Sequence, residues 1–252
     1  MFEDMTTAER IQAAKVKTER VVDHLLYLLA LHENNAIIVY SDTLSSQISR
    51  SLAANAFNVF QGGLHQFEIV RLCALWDTPG ADKENIPTII KLIKSSDVIE
   101  ALAQETLRLR SGIGCDIMDP SEDPETSALA NAALQRSNEE LGQQEAQRAR
   151  DELRIAIADV RAILKSARLT SIMNLRHKHL AHSLTETRLE KAGVLAPMKY
   201  GDEREVLRAS ISIVEALHRW INGKGFSFAD SQEIARNNAE ALWKRCTFNI
   251  QR

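Results

Sequence analysis

Three of the chain's seven histidines fall within six residues, in the run Asn174-Leu-Arg-His-Lys-His-Leu-Ala-His-Ser183. Imidazole titrates near neutral pH and can take or give a proton. The guanidinium of Arg176 offers a planar fork that fits phosphate oxygens and can stabilise charge in a transition state. On a helical wheel Ile172, Arg176 and Leu180 form an i, i+4, i+8 row within an apolar arc that includes Met173 and Leu184. A guanidinium among such neighbours costs several kcal/mol unless an anion or an ordered network compensates it, so Arg176 calls for an anionic partner. His179 and His182 follow at steps of three, so the trio forms a slanted stripe; His177 points away from it. From Arg176 to His182 a straight helix rises about 9 Å and turns the pair roughly 120° apart. A bend, or a second copy of the motif across a two-fold axis, would make a compact site easier.

Two other readings compete. The histidines can be solvated positions on a basic helix face, or His-x-His-x-x-His can offer imidazoles to a metal. Against a metal, no cysteine lies nearby and the interleaved Arg176 and Lys178 repel a cation.

The elements that must position these residues read as helices. The chain has 252 residues, 44% apolar and 26% charged, with only 10 Gly and 5 Pro, too few turn residues for a sandwich or barrel. Apolar residues three or four apart run from Thr7 to about Glu33, and again from about Asp42 to Phe60. That second run pauses at Gly62-Gly63, resumes to Trp76 and stops at Asp77-Thr-Pro-Gly80. Pro87 suits the first turn of a helix reaching about Arg110. Residues 112–128, with two glycines, two prolines and five acids, read as an exposed acidic loop. Leu153, Ile157, Val160 and Leu164 mark a face roughly 160° from the Ile172 row. Either a helix breaks near Ala167–Thr170, or one helix buries different faces along its length. Asp202 to Ile221 form another helix ended by Gly223 and Gly225, and Asp230-Ser-Gln-Glu233 resembles a capping box opening a last one to about Cys246. These periodicities predict an all-α protein forming one domain over residues 1–252.

Net charge is -3, so no overall positive field marks a nucleic-acid binder, and a polyanion must be met at a local site. Cys73, Cys115 and Cys246 are too sparse for a disulfide framework. The opening segment MFEDMTTAERIQAAKVK lacks a basic stretch followed by an apolar one, and the longest apolar runs fall short of a bilayer. A cytoplasmic protein without membrane contact is expected. His24 and His32 read as satisfied core or boundary residues, His65 and His218 have no evident partner, and Trp220 and Trp243 read as core or interface. Asp77 could cap or pair locally, and a long-range pairing with Arg176 is conceivable.

An Arg, then a polar residue, then a His four to six residues after the Arg, in a helical protein, resembles the signature of the HEPN superfamily (higher eukaryote and prokaryote nucleotide-binding). More narrowly, Leu175-Arg-His-Lys-His-Leu-Ala-His182 is similar to the abortive-infection U-type branch. Arg71-Leu-Cys-Ala-Leu-Trp-Asp77, followed by Asn85-Ile-Pro-Thr-Ile-Ile, has the look of that branch too. The likeness covers residues 10–190; the residues beyond have no counterpart. It implies a helical bundle that dimerises, bringing two Arg…His motifs into one cleft. Catalytic members are metal-independent endoribonucleases, often toxins of toxin–antitoxin or phage-defence systems, so RNA and an antitoxin protein are implied partners and no cofactor is. Arg176 and His182 match the two signature positions. His177 takes the polar position where Asn or Asp is common. By this resemblance Arg176, His177 and His182 are the catalytic candidates, while Lys178 and His179 are candidates for holding backbone phosphates. The alternative implied is a non-catalytic helical module binding RNA, a nucleotide or a partner protein.

Overall fold

A computed structural model describes residues 2–48, 52–111, 124–178, 186–194 and 196–250. At its centre is α1 (Thr7–Ile38), opened by a capping box in which Thr6 and Glu9 satisfy each other's backbone N–H groups. Its Val21, Leu25, Leu28 and Leu29 are buried at helical spacing, and it packs against the helices on both sides of it in the bundle. They are α2 (Leu52–Leu75), α3 (Ile86–Ile93), α4 (Ser96–Ser111), α8 (Asp202–Asn222) and α9 (Ala229–Trp243). The long α5 (Pro124–Leu164) lies along α4 and α8, with Leu153, Ile157 and Val160 in the common core beside Leu102, Leu217 and Trp220. The short α6 (Ala167–Arg176) packs on α2 and α8, and α7 (Arg188–Lys191) is a single turn. The described residues contain helices and a 3-10 turn at Ser45–Gln47 but no strand, as expected of an all-α bundle. No helix among them is long and apolar enough to cross a membrane.

Several boundaries differ from the sequence expectation. α2 runs unbroken through Gly62-Gly63. Each glycine costs about 1 kcal/mol relative to alanine, but Phe57, Glu68, Ile69 and Leu72 are buried on either side, and that continuous inward face outweighs the local cost. The helix expected from Pro87 to Arg110 is two, parted at Lys94-Ser95; almost every residue of α3 is buried. Of the expected loop at 112–128, residues 112–123 lie outside the described residues, and 124–128 already belong to α5, which Pro124 opens. α9 starts at Ala229 after Phe228, with no side-chain cap, so Asp230 sits in its first turn and the expected capping box is absent. Phe228 is fully buried, and that anchor sets the start instead. The change of face after Leu164 is a true break: Lys165 turns, and Ser166 caps α6 by accepting from the Leu169 N–H.

Candidate functional site

The break at Lys165–Ser166 frees α6 to turn its own apolar face inward. Leu169 and Ile172 are buried, and the Cys73 thiol of α2 lies 3.9 Å from the Ile172 carbonyl oxygen. Arg168, at the other end of α6, reaches Asp202 at the start of α8 (3.5 Å). So held, α6 ends at Arg176 beside the C-terminal end of α2, and the backbone continues through a π-type turn at His177 and Lys178. Such turns are frequent at functional sites.

Arg176 sits one turn beyond the fully buried Ile172 and is half-buried, as the i, i+4 row requires. Its Nη2 lies 3.4 Å from Nε2 of the exposed His177. Among the described residues no carboxylate forms an ion pair with it, although the apolar row called for an anionic partner. One negative charge that responds to it belongs to Asp77. Burial acts to raise the Asp77 carboxyl, but hydrogen bonds from Lys83 and the Thr78 N–H, with the charges of Lys83 and Arg176, hold it below the ordinary carboxylate range. Asp77 is thus both a local partner and an electrostatic neighbour of Arg176; its contacts at 2.9 Å go to Lys83 and Thr78. Burial pushes the Cys73 thiol up to about 12, opposed in part by the Arg176 charge. The neighbouring Trp76 is buried, and its indole N–H donates to Ser210 Oγ of α8 at 2.8 Å. The Trp-Asp segment therefore fixes the end of α2 against α8 while presenting an acid to the Arg176 corner.

Lys178 meets a different fate. Its ammonium lies 3.1 Å from Glu190 Oε2 of α7, both side chains being largely buried. Asn174 donates to the other oxygen of the same carboxylate at 3.0 Å. Glu190 closes a capping box with Thr187. The Thr187 N–H, against the opposing effect of burial and with help from Lys178, holds the Glu190 carboxyl below its usual range. His179 and His182 lie outside the described residues. Arg176, His177 and Lys178 are thus together, with Lys178 neutralised and Arg176 without a paired carboxylate among the described residues. No group of three His, Cys, Asp or Glu among the described residues is placed to hold a metal ion.

The remaining histidines are structural in different ways. His32 Nδ1 lies 2.6 Å from the buried Glu68, which also accepts from Asn35 and Tyr40. His218, expected to lack a partner, contacts the Lys224 carbonyl oxygen and Glu19. His24, expected to be satisfied, leaves Nε2 buried without a hydrogen bond, as does His65. Trp220 is buried and Trp243 donates to Asn34. Sequence reading missed a cavity of about 700 Å³ between α1, α8 and α9, walled by Tyr40, Tyr200, Glu203 and Arg236. None of its lining comes from α6. Its only sequence trace is the dispersed set of polar residues on otherwise apolar helices.

A family model described as AbiU2, of the HEPN group, matches residues 11–242. The match extends the likeness beyond residue 190, through α8 and most of α9. No curated protein and no solved structure matches the chain. The chain belongs to the HEPN AbiU2 family, an abortive-infection branch of all-α HEPN modules.

Proposed function

We propose that this HEPN AbiU2 protein is a metal-independent endoribonuclease acting as a toxin or phage-defence effector, with Arg176 as the phosphate clamp of its active site. The observation that carries the reading is the open guanidinium of Arg176. It ends a helix that is otherwise packed inward, stands 3.4 Å from an imidazole, and has no carboxylate paired with it among the described residues. A half-buried guanidinium so placed is ready for an anion from outside the chain.

In the reaction the 2′-oxygen of a ribose attacks the adjacent phosphorus. A histidine removes the 2′-hydroxyl proton, and the bond from phosphorus to the 5′-oxygen breaks. The leaving oxygen gains a proton, giving a 2′,3′-cyclic phosphate and a 5′-hydroxyl. DNA lacks the attacking group. His182 takes the acid–base role, Arg176 binds the non-bridging oxygens as negative charge grows on them, and His177 orients the guanidinium. His179 holds a backbone phosphate, and Lys178 contributes through its pair with Glu190 to the shape of the corner. The protein acts as a homodimer on RNA and is restrained by an antitoxin protein.

The test is incubation of the purified chain with RNA in EDTA. Cleavage with cyclic phosphate ends, lost in His182→Ala while folding and association persist, is the expected result. Cleavage retained in that variant overturns the assignment, and RNA bound but left intact identifies a non-catalytic binding module.

A further inference from the structure

We infer that the cavity between α1, α8 and α9 binds a small organic cation, whose ammonium group is received by the Glu203 carboxylate and the rings of Tyr40 and Tyr200. The inference does not rest on the nuclease reading, since no residue of the Arg176 corner lines this cavity.

The buried carboxylate comes first. Glu203 stands in the first turn of α8 and is 2% exposed. Both of its oxygens turn to a single backbone N–H, that of Gly201, at 3.2 and 3.1 Å. Among the described residues no Lys, Arg or His forms an ion pair with it. The backbone donor and the positive end of the α8 dipole offset part of the cost of burying its charge. They do not supply the cation with which a buried carboxylate is ordinarily paired. Glu203 lines the cavity, so a cation can approach it from that side.

Two aromatic walls stand beside it. Tyr40 and Tyr200 both line the cavity, and their rings meet nearly perpendicular, 4.9 Å between centroids. The Tyr40 hydroxyl donates to Glu68 at 2.8 Å, and that of Tyr200 to the Val39 carbonyl oxygen at 3.4 Å. The hydroxyls thus fix the rings, and Tyr200 nevertheless remains 67% exposed. A corner of two aromatic rings attracts a cation through their electron-rich faces. The corner is negative as well. Burial, followed by the charges of Glu203 and Glu68, pushes the Tyr200 phenol up to about 12. Burial and the same two carboxylates raise that of Tyr40. Both phenols are therefore uncharged at physiological pH.

The other charges around the cavity select the sign of the ligand. Arg236 lies 3.3 Å from Glu33, and Lys244 lies 2.9 Å from Glu240, so each of these cations has a carboxylate of its own. His32 is held at Nδ1 by Glu68, 2.6 Å away, and any charge it carries is met within that pair. What is left is Arg204, exposed to water, and Glu203, buried. Solvent and salt screen the first far more than the second. An anion would therefore meet Glu203 with only a solvated guanidinium to hold it, whereas a cation meets its complement. A metal ion fits poorly, because no group of three His, Cys, Asp or Glu among the described residues is placed to hold one. The volume, about 700 Å³, is that of a site for an organic molecule.

The experiment is isothermal titration calorimetry of the full chain at constant ionic strength. Two ammonium probes are used, each beside an uncharged molecule of its own shape: choline with neohexyl alcohol, and butylammonium with butanol. At least one ammonium probe should bind, roughly tenfold more tightly than its uncharged counterpart. Glu203→Gln keeps an acceptor for the Gly201 N–H but removes the charge, and should weaken that binding roughly tenfold or more. Tyr200→Leu should weaken it several-fold, and Arg204→Gln should leave it unchanged or tighten it. Without ligand, Glu203→Gln should melt at the wild-type temperature or above it, because it relieves an unpaired buried charge; a carboxylate kept for structure alone would give a lower value. Failure of both ammonium probes to bind, equal binding of the uncharged molecules, binding indifferent to Glu203→Gln, or a lower melting temperature in that variant overturns the inference. No RNA is present in either measurement, so the outcome leaves the nuclease reading where it stands.

Discussion

His24 should make the protein measurably less stable in mild acid. Its ring lies between α1 and α2, with Nε2 buried and unpartnered. Burial, followed by the charge of Arg71, lowers its pKa from 6.5 to about 4. Arg71 is itself fixed over the Tyr27 ring, 5.2 Å from its centroid, and cannot readily withdraw. Between pH 6.5 and about 4 the unfolded chain takes up a proton that the folded chain refuses. The stabilisation is therefore complete above pH 6.5 and is lost progressively as pH falls toward 4. At about 1.36 kcal/mol per pH unit the ceiling is roughly 3 kcal/mol. The ring is only partly buried, and screening by water reduces this to about 1–2 kcal/mol, of which about 1 falls between pH 7 and 5. His24→Leu removes both the titration and the unpartnered nitrogen. Urea unfolding of wild type and variant at pH 7, 6 and 5 should show the wild type losing about 1 kcal/mol more than the variant. Parallel pH profiles, or a His24 imidazole resonance titrating near 6.5, would refute the reasoning.

Glu68→Ala should destabilise by about 3–5 kcal/mol, because it strands the buried His32 together with Asn35 and Tyr40, all three bonded to that carboxylate; a thermal midpoint unchanged from wild type would count against it. Arg176→Lys should keep the fold, since the side chain has no ion-pair partner among the described residues, yet slow RNA cleavage by about 100-fold through loss of the planar fork. Initial rates on one RNA substrate decide this, and a wild-type rate would remove Arg176 from the reaction.

What could be read from the sequence was whatever a single helix decides for itself. The 160° mismatch between the Leu153–Leu164 face and the Ile172 row required a break or a change of face, and the chain breaks at Lys165–Ser166. The same wheel put Arg176 over Ile172, and the residue is found half-buried there. Features set by packing were not readable. Gly62-Gly63 looks like a pause because glycine is a poor helix former, but helix stability in a bundle comes mostly from the buried face, and that face continues past the glycines. The partner of Lys178 is Glu190, twelve residues on, and only the fold of the intervening chain brings them together. His24 and His218 are alike as lone histidines on helices, yet one nitrogen of His24 is orphaned and both of His218 are engaged.

The contrast between Arg176 and Lys178 bears directly on chemistry. They stand two residues apart, and both carry a positive charge in a protein with net charge -3. The fold removes one from use: Glu190 faces Lys178 from α7, braced by Thr187 and Asn174. The acid on the other side, Asp77, is occupied by Lys83 and Thr78, so it lies near Arg176 without closing an ion pair. The cation without a paired carboxylate among the described residues is the one whose five donors are fixed in a plane. For the proposed reaction this matters more than total charge. A ribbon of lysines would hold RNA anywhere along its length, whereas one open fork next to an imidazole favours a single phosphate in one orientation, as in-line attack by a 2′-oxygen requires.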